Sequence, residues 1–421
     1  MIENAEGSLR MNSQLSDYEK AKAFDIQSID QGFLDDPFPT YQILREHDPV
    51  HINPDGTYFL TRYDDVVKAF KSPNMSSDKT QDFKPRFGDG PLYVHHTTSL
   101  VFNDDPYHSI VRKLMSEAFT PKKMNELDSV IDGIVDKLLD NVEAKGEFDV
   151  VQDYGLALPT EIIADMLGIP EEHRNKMHHY STLILGALDP IVSPEKIDEG
   201  HKAVEEFGAL LEDLIAKRRL TPYGAEMGEV LVSLIFGEVD GRKLTPVELV
   251  QNCIFLLNAG HETTASLVSN GIGTLLDFPD QLELLRNEPG LIKTATEEFL
   301  RFQSPLQIGN RKVIEDTEFG PEGEKILIPG GSFLHTCLGA ANRDPEIFNN
   351  PEKVDISRRP NPQIAFGIGK HICMGNTLGR MEGQKAIGKF VDRFPNLKLN
   401  GEKKFHGRAR FRGLSFLPVA V

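Results

Sequence analysis

One stretch of the sequence constrains the fold more than any other. Thr245-Pro246-Val247-Glu248 supplies an N-cap, a proline at the first helical position and a capping-box glutamate. Apolar residues then run almost all round a helix as far as Leu276, and Pro279 stops it. A helix that is apolar on every face is a buried one. This segment is therefore predicted to cross the centre of the protein, and polar residues inside it need a reason. Ala259-Gly260-His261-Glu262-Thr263-Thr264 is such a group. A glycine where packing should be tight leaves room for a ligand. An adjacent acid and alcohol in apolar surroundings can relay protons. The alternative is a set of threonines that bond back to their own helix.

Helical patterning also dominates residues 66–70, 109–119, 124–142, 160–167, 203–219, about 291–302, and 376–394, where Pro395 follows. Strand signals are few. Val50-His51-Ile52 and Thr57-Tyr58-Phe59-Leu60 flank Asn53-Pro54-Asp55-Gly56 and predict a hairpin. Short β-like pieces follow at 312–313, 325–328 and 332–334. Between residues 79 and 98 the pattern dissolves into Gly, Pro and aromatic residues, and 183–194 is also irregular. Two long loops in one domain point towards function. There is no repeat, low-complexity tract or linker. The expected fold class is mainly α with a small β portion.

Composition narrows the function classes. The 421 residues carry 46 Lys and Arg against 64 Asp and Glu, a formal net charge of −18. Neither nucleic acid nor an anionic membrane is an expected partner for such a surface. The three cysteines are Cys253, Cys337 and Cys373. So odd and sparse a set is no disulfide framework, and it fits a reducing compartment. The first 24 residues are polar, and no uncharged apolar run is long enough to span a bilayer. The expected location is the cytoplasm.

The chemistry is concentrated in Phe366-Gly367-Ile368-Gly369-Lys370-His371-Ile372-Cys373-Met374-Gly375, which leads straight into a helix. Its glycines permit a tight turn and close approach of backbone to something flat. The cysteine sits just ahead of a helix N-terminus, where amide N–H groups and the helix dipole favour a thiolate. A lone Cys-x-Gly would read as a buried cysteine in a turn; ten residues in this pattern read otherwise. The segment resembles the haem-binding loop of the cytochrome P450 family, Phe-Gly-x-Gly-x-His/Arg-x-Cys-x-Gly, at every fixed position. The resemblance extends through Ala118-Phe119-Thr120-Pro121 and Ala341-Asn342-Arg343-Asp344-Pro345, from about Asp36 to the end. It implies an N-terminal extension over 1–35 and a single P450 domain over 36–421. A long central helix would lie over the haem, with the cysteine loop on the other face.

The resemblance implies specific roles. Cys373 would be the axial ligand of the iron of haem b, and such a thiolate donates electron density that favours O–O cleavage. Ala259, Phe366 and Gly367 would lie against the haem. Glu262 and Thr263 would be the acid–alcohol pair that delivers protons, with His261 a structural or outward-facing histidine. His108, Arg112, Arg311 and His371 would bind the haem propionates, since cations converging on two carboxylates are what haem requires. Glu298-Phe299-Leu300-Arg301 places an acid and a base one turn apart. In the family this pair is buried and completed by a third basic residue. The matching position here is Lys353, which cannot form the planar fork of an arginine. Gly379 departs from the usual alanine.

The expected activity is that of a haem-thiolate monooxygenase that inserts one atom of O2 into a small substrate. Leu92, His95, His96, Leu306, Gln307 and Phe416 are the candidate substrate contacts, and their mixed polarity suggests a small substrate with polar groups. The phrases 301–307 and 412–418 are similar to relatives that oxidatively demethylate methyl ethers of arenes or sugars. Hydroxylation of a terpenoid, fatty acid or other apolar molecule is the alternative. Outside that class stands a haem-binding sensor without turnover, and within enzymes a peroxide-using relative, against which Glu262-Thr263 speaks. Electrons would come from NAD(P)H through a flavin reductase and a ferredoxin. Lys113, Lys370 and Arg380 flank the cysteine side and are candidates for the ferredoxin-docking patch.

Overall fold

The computed structural model describes residues 15–116, 119–220 and 229–421; Ala118 and the first 14 residues of the expected extension lie outside these. The helix expected to organise the molecule does so, running Pro246–Asp277. At its start the Thr245 hydroxyl accepts from the Glu248 amide (3.2 Å), and the Glu248 carboxylate accepts from the Thr245 amide (2.9 Å). Most of its length is buried. It packs against helices Ala157–Leu167, Met177–Gly186, Pro194–Leu220 and Asn376–Arg393. Gly260 sits where the first of these crosses it. A Cβ there would stand 2.5 Å from Ile163 Cδ1, so the glycine lets the two helices meet without displacing that side chain. Gly383, on the helix that follows Cys373, likewise allows Leu267 of the central helix to come close.

The small β portion lies to one side. Its main sheet has five strands in the order Val50–Ile52, Tyr58–Leu60, Phe333–Cys337, Ile308–Val313 and Met75–Ser76. The predicted hairpin is the antiparallel first pair, with Val50 opposite Leu60. Tyr58–Leu60 then runs parallel to Phe333–Cys337. Three smaller sheets complete it. Glu147–Asp149 and Lys398–Leu399 flank Pro418–Ala420, Thr317–Phe319 pairs with Ile326–Ile328, and Lys404–Phe405 pairs with Leu414–Phe416. Phe24, Ile26 and Phe33 share a core cluster with Tyr41 and Phe59, so the chain before Asp36 packs onto this side.

Two secondary-structure expectations need correction. Residues 79–98 are not irregular: they form helices Thr80–Phe87 and Pro91–Thr98, separated by Gly88 at φ +60°. Each buries one face, Phe83 and Phe87 four residues apart in the first and Leu92, His95 and His96 at i, i+3 and i+4 in the second. Two histidines on the second of these faces, Pro85 within the first helix and only eight residues in each hide the period in the sequence. Residues 183–186 likewise continue the helix Met177–Gly186, leaving only the following turn irregular.

The third basic partner of Glu298 is Arg358, not Lys353. Arg301 makes paired 2.8 Å bonds to both Glu298 oxygens, and Arg358 Nε approaches Oε2 at 3.0 Å. Asp355 N and Asn361 Nδ2 donate to the same carboxylate. Lys353 contributes only its carbonyl, which accepts from Arg301 and Arg358. Among the described residues no helix is long and apolar enough to cross a membrane.

Candidate active site

The cysteine loop is held by its own backbone. Gly367 and Gly369 adopt φ of +67° and +80°, a region that other residues avoid, and the Cys373 amide donates to the Phe366 carbonyl at 2.8 Å. The helix Asn376–Arg393 begins three residues after Cys373. Burial pushes the Cys373 thiol up, while the Gly375 amide, Arg112 and Arg380 pull it down. Burial wins in the bare protein, so the helix terminus alone does not secure a thiolate. A bound metal cation would.

A cavity of about 330 Å³ opens beside this thiol. The loop bounds it through Phe366, Gly367 and Cys373, and the central helix through Ala259, Gly260 and Thr263. His108, Arg112, Arg311 and His371 all line it. Arg112 donates to the Ile372 carbonyl (2.8 Å) and Arg311 to the Asn310 carbonyl (2.7 Å). Neither meets a carboxylate within ion-pair distance among the described residues. The His108 and His371 rings lie 3.9 Å apart, and both His108 ring nitrogens are buried without a hydrogen-bond partner. Burial, together with Arg311 and His108, drives His371 down to about 3. Such a cluster of positive and donor groups facing an otherwise apolar slot fits a flat apolar macrocycle with anionic groups at one edge. The residues present therefore fit haem: Cys373 would take the iron and the four basic side chains the propionates.

The acid and alcohol part company. Thr263 lines the cavity, and its hydroxyl donates to the Ala259 carbonyl at 2.8 Å. Glu262 points away and pairs with Arg408, with Oε2 left without a hydrogen bond. His261 is fully buried and structural, with Nε2 2.9 Å from the Thr160 hydroxyl.

Of the expected substrate contacts, His95, His96 and Leu306 line the cavity. The other three do not. Leu92 is buried in the core against Gly200, Gln307 donates to the Ser304 carbonyl (2.7 Å) beneath Gly339, and Phe416 is exposed. His95 is held by Gln251 (3.1 Å) and Asn258 (3.2 Å), and burial pulls it down to about 4. The C-terminal contact falls earlier than the expected Phe416, at Arg410 and Phe411, because 414–416 is committed to a strand. Leu185 and Leu188, from the 183–194 segment expected to carry function, line the cavity, as does Asn258 of the central helix; Phe255 was missed. The alternation Arg408-x-Arg410-x-Arg412 was the available signal for the C-terminal contact. Of the three cations expected to dock a ferredoxin, Lys370 is paired with Asp105 and Arg380 with Glu297 (2.6 Å), while Lys113 is exposed.

Comparison with known proteins agrees with this architecture. The family profile described as cytochrome P450 matches residues 49–409. The vitamin D(3) 25-hydroxylase of Pseudonocardia autotrophica is 36% identical over 397 residues, covering 92% of this chain and 94% of the relative. The biotin biosynthesis cytochrome P450 of Bacillus subtilis (strain 168) is 34% identical over 399 residues, covering 92% and 96%. The crystal structure of P450BioI in complex with hexadec-9Z-enoic acid ligated acyl carrier protein matches with a TM-score of 0.86 at 33% identity, covering 92% of this chain and 99% of that one. The chain belongs to the cytochrome P450 family. It is a monooxygenase, an oxidoreductase that uses haem, O2 and electrons from redox partners.

Proposed function

We propose that this monooxygenase hydroxylates a predominantly apolar small molecule. The observation that carries this reading is the cavity wall: Leu185, Leu188, Phe255, Leu256, Leu306 and Phe411 enclose it, with few polar groups between them. Bound haem supplies the dioxygen chemistry that inserts one oxygen atom into a C–H bond. The chain's own residues orient the substrate against the apolar wall and meter protons. Thr263 presents a hydroxyl at the cavity surface, and Glu262, one residue earlier, takes up a proton from solvent once it leaves Arg408 and passes it on.

Oxidative demethylation of a methyl ether is the second reading, favoured by His96 and Asn258 in the wall. It is the same insertion made at a methoxy carbon, after which the hemiacetal collapses to an alcohol and formaldehyde. Electrons reach the site from NAD(P)H through a flavin reductase and a ferredoxin, with the exposed Lys113 as a docking cation, and the enzyme works in the cytoplasm as a single domain over 36–421.

The test is a ligand panel read by haem spin-state shift, followed by product analysis with reconstituted electron transfer. Apolar ligands that shift the spectrum and gain a hydroxyl support the first reading. Formaldehyde from methoxylated ligands alone would replace it with the second.

A further inference from the structure

One part of the cavity wall carries a guanidinium that makes no ion pair among the described residues. Arg410 is 8% exposed, lines the cavity, and keeps Nε buried without a hydrogen-bond partner. Its backbone is pinned on both sides: the amide donates to Asp189 Oδ1 (3.1 Å) and the carbonyl accepts from the Gln307 amide (2.8 Å). The nearby acid thus spends an oxygen on the backbone, and no ion pair joins it to the guanidinium among the described residues. Arg86 comes to the same place and donates to the Asp189 carbonyl. Arg408 is taken by Glu262. Arg408 also lies near Asp189, so three arginines share that carboxylate and Glu262. His96 completes the group, 1% exposed, with its ring packed among Phe83, Phe87 and Phe102 and its Nε2 buried without a partner.

A buried guanidinium that makes no ion pair and shares its nearest carboxylate is costly, and the cost is lowered when a ligand brings a further anion. Burial draws Arg410 down only to about 10, which leaves it charged at neutral pH. We propose that Arg410 and His96 form an anion-binding subsite that takes the carboxylate of an amphipathic substrate. The apolar body of that substrate then lies along Leu306 and Phe411. This rests on the apolar-substrate reading above and adds the head group to it. A guanidinium offers a carboxylate two parallel N–H donors, and a neutral imidazole adds one more.

The test uses the full-length, haem-loaded enzyme and three probes of equal chain length: dodecanoic acid, methyl dodecanoate and 1-dodecanol. Spin-state titration is expected to give a dissociation constant for the acid about tenfold or more below those of the ester and alcohol. Arg410→Gln should abolish that advantage while leaving the two neutral probes within about twofold, and Arg410→Lys should restore part of it. His96→Phe, which suits the surrounding rings, should reduce the preference by a smaller factor. Equal binding of acid and ester, or an Arg410→Gln effect equal on all three probes, overturns the subsite and leaves the apolar reading standing. Failure of all three probes to shift the wild-type spectrum overturns both. If Arg410→Gln takes up no haem, an unchanged preference for the acid in both Arg410→Lys and His96→Phe overturns the proposal.

Discussion

Glu262 turns its carboxylate onto Arg408, away from the cavity that its neighbour Thr263 lines. Acid and alcohol are adjacent in sequence yet face different surroundings, so proton delivery by Glu262 would require it to exchange one partner for another. Glu262→Gln keeps the shape and loses the transferable proton. Product formation should fall about a hundredfold, with haem content unchanged and electrons diverted to hydrogen peroxide. Turnover within twofold of wild type would remove Glu262 from the proton route.

The same pair predicts a stability effect. Glu262 is 6% exposed, so Arg408→Met leaves a carboxylate buried and unpaired. The expected loss is about 3 kcal/mol in denaturant unfolding, most of it recovered when Glu262→Gln is added. Additive losses in the double variant would show that the two side chains act separately.

The Glu298 network predicts a contrast. Glu298→Ala strands the fully buried Arg301 and should cost about 3–5 kcal/mol, read from the unfolding midpoint. Arg358→Ala should be clearly destabilising because it removes a guanidinium that donates to Glu298. Lys353→Ala should be neutral within about 0.5 kcal/mol, since only its carbonyl is used. A large Lys353 effect would refute the assignment.

Cys373→Ala removes the only thiol that lines the cavity among the described residues. The reduced carbon monoxide spectrum of the variant should lose its thiolate character and turnover should vanish. A variant that retains that spectrum would place the axial ligand elsewhere.

His95 links stability to pH. Its folded value is drawn down to about 4 from an ordinary 6.5. Below 6.5 the unfolded chain therefore takes up a proton that the folded one refuses. The contribution of a neutral, buried His95 is complete above about 6.5 and is lost progressively as pH falls towards 4. His95→Gln should flatten the melting temperature between those limits relative to wild type. An unchanged slope would mean that other groups carry the acid sensitivity.

The extent to which the site could be read in advance follows from how local its chemistry is. The capping box at Thr245, the proline behind it and the cysteine loop are contiguous signals, and each falls where expected. The helices over 80–98 escaped because each is only eight residues long, Pro85 interrupts the first, and histidines rather than apolar residues fill two of the buried positions of the second. Arg358 escaped because its carboxylate partner lies 60 residues away in sequence. Arg410 escaped for a similar reason, since only the folded chain brings the C-terminal loop beside His96 and Asp189. Phe416 was misplaced by the pairing of its strand with 404–405, which turns the cavity contact over to Phe411.

The alternating arginines of the C-terminal loop divide three tasks among positions two apart. Arg408 holds Glu262, Arg410 faces the cavity, and Arg412 reaches the Leu34 and Asp35 carbonyls. Both ends of the loop are sewn into the paired segments 404–405 and 414–416. A one-residue insertion here would scramble proton supply, ligand choice and the fastening of the amino-terminal segment in a single event. Exchange of the middle side chain alone disturbs only the second. Diversification of substrate taste in such a loop is thus channelled into point replacement at 410, with its length kept constant.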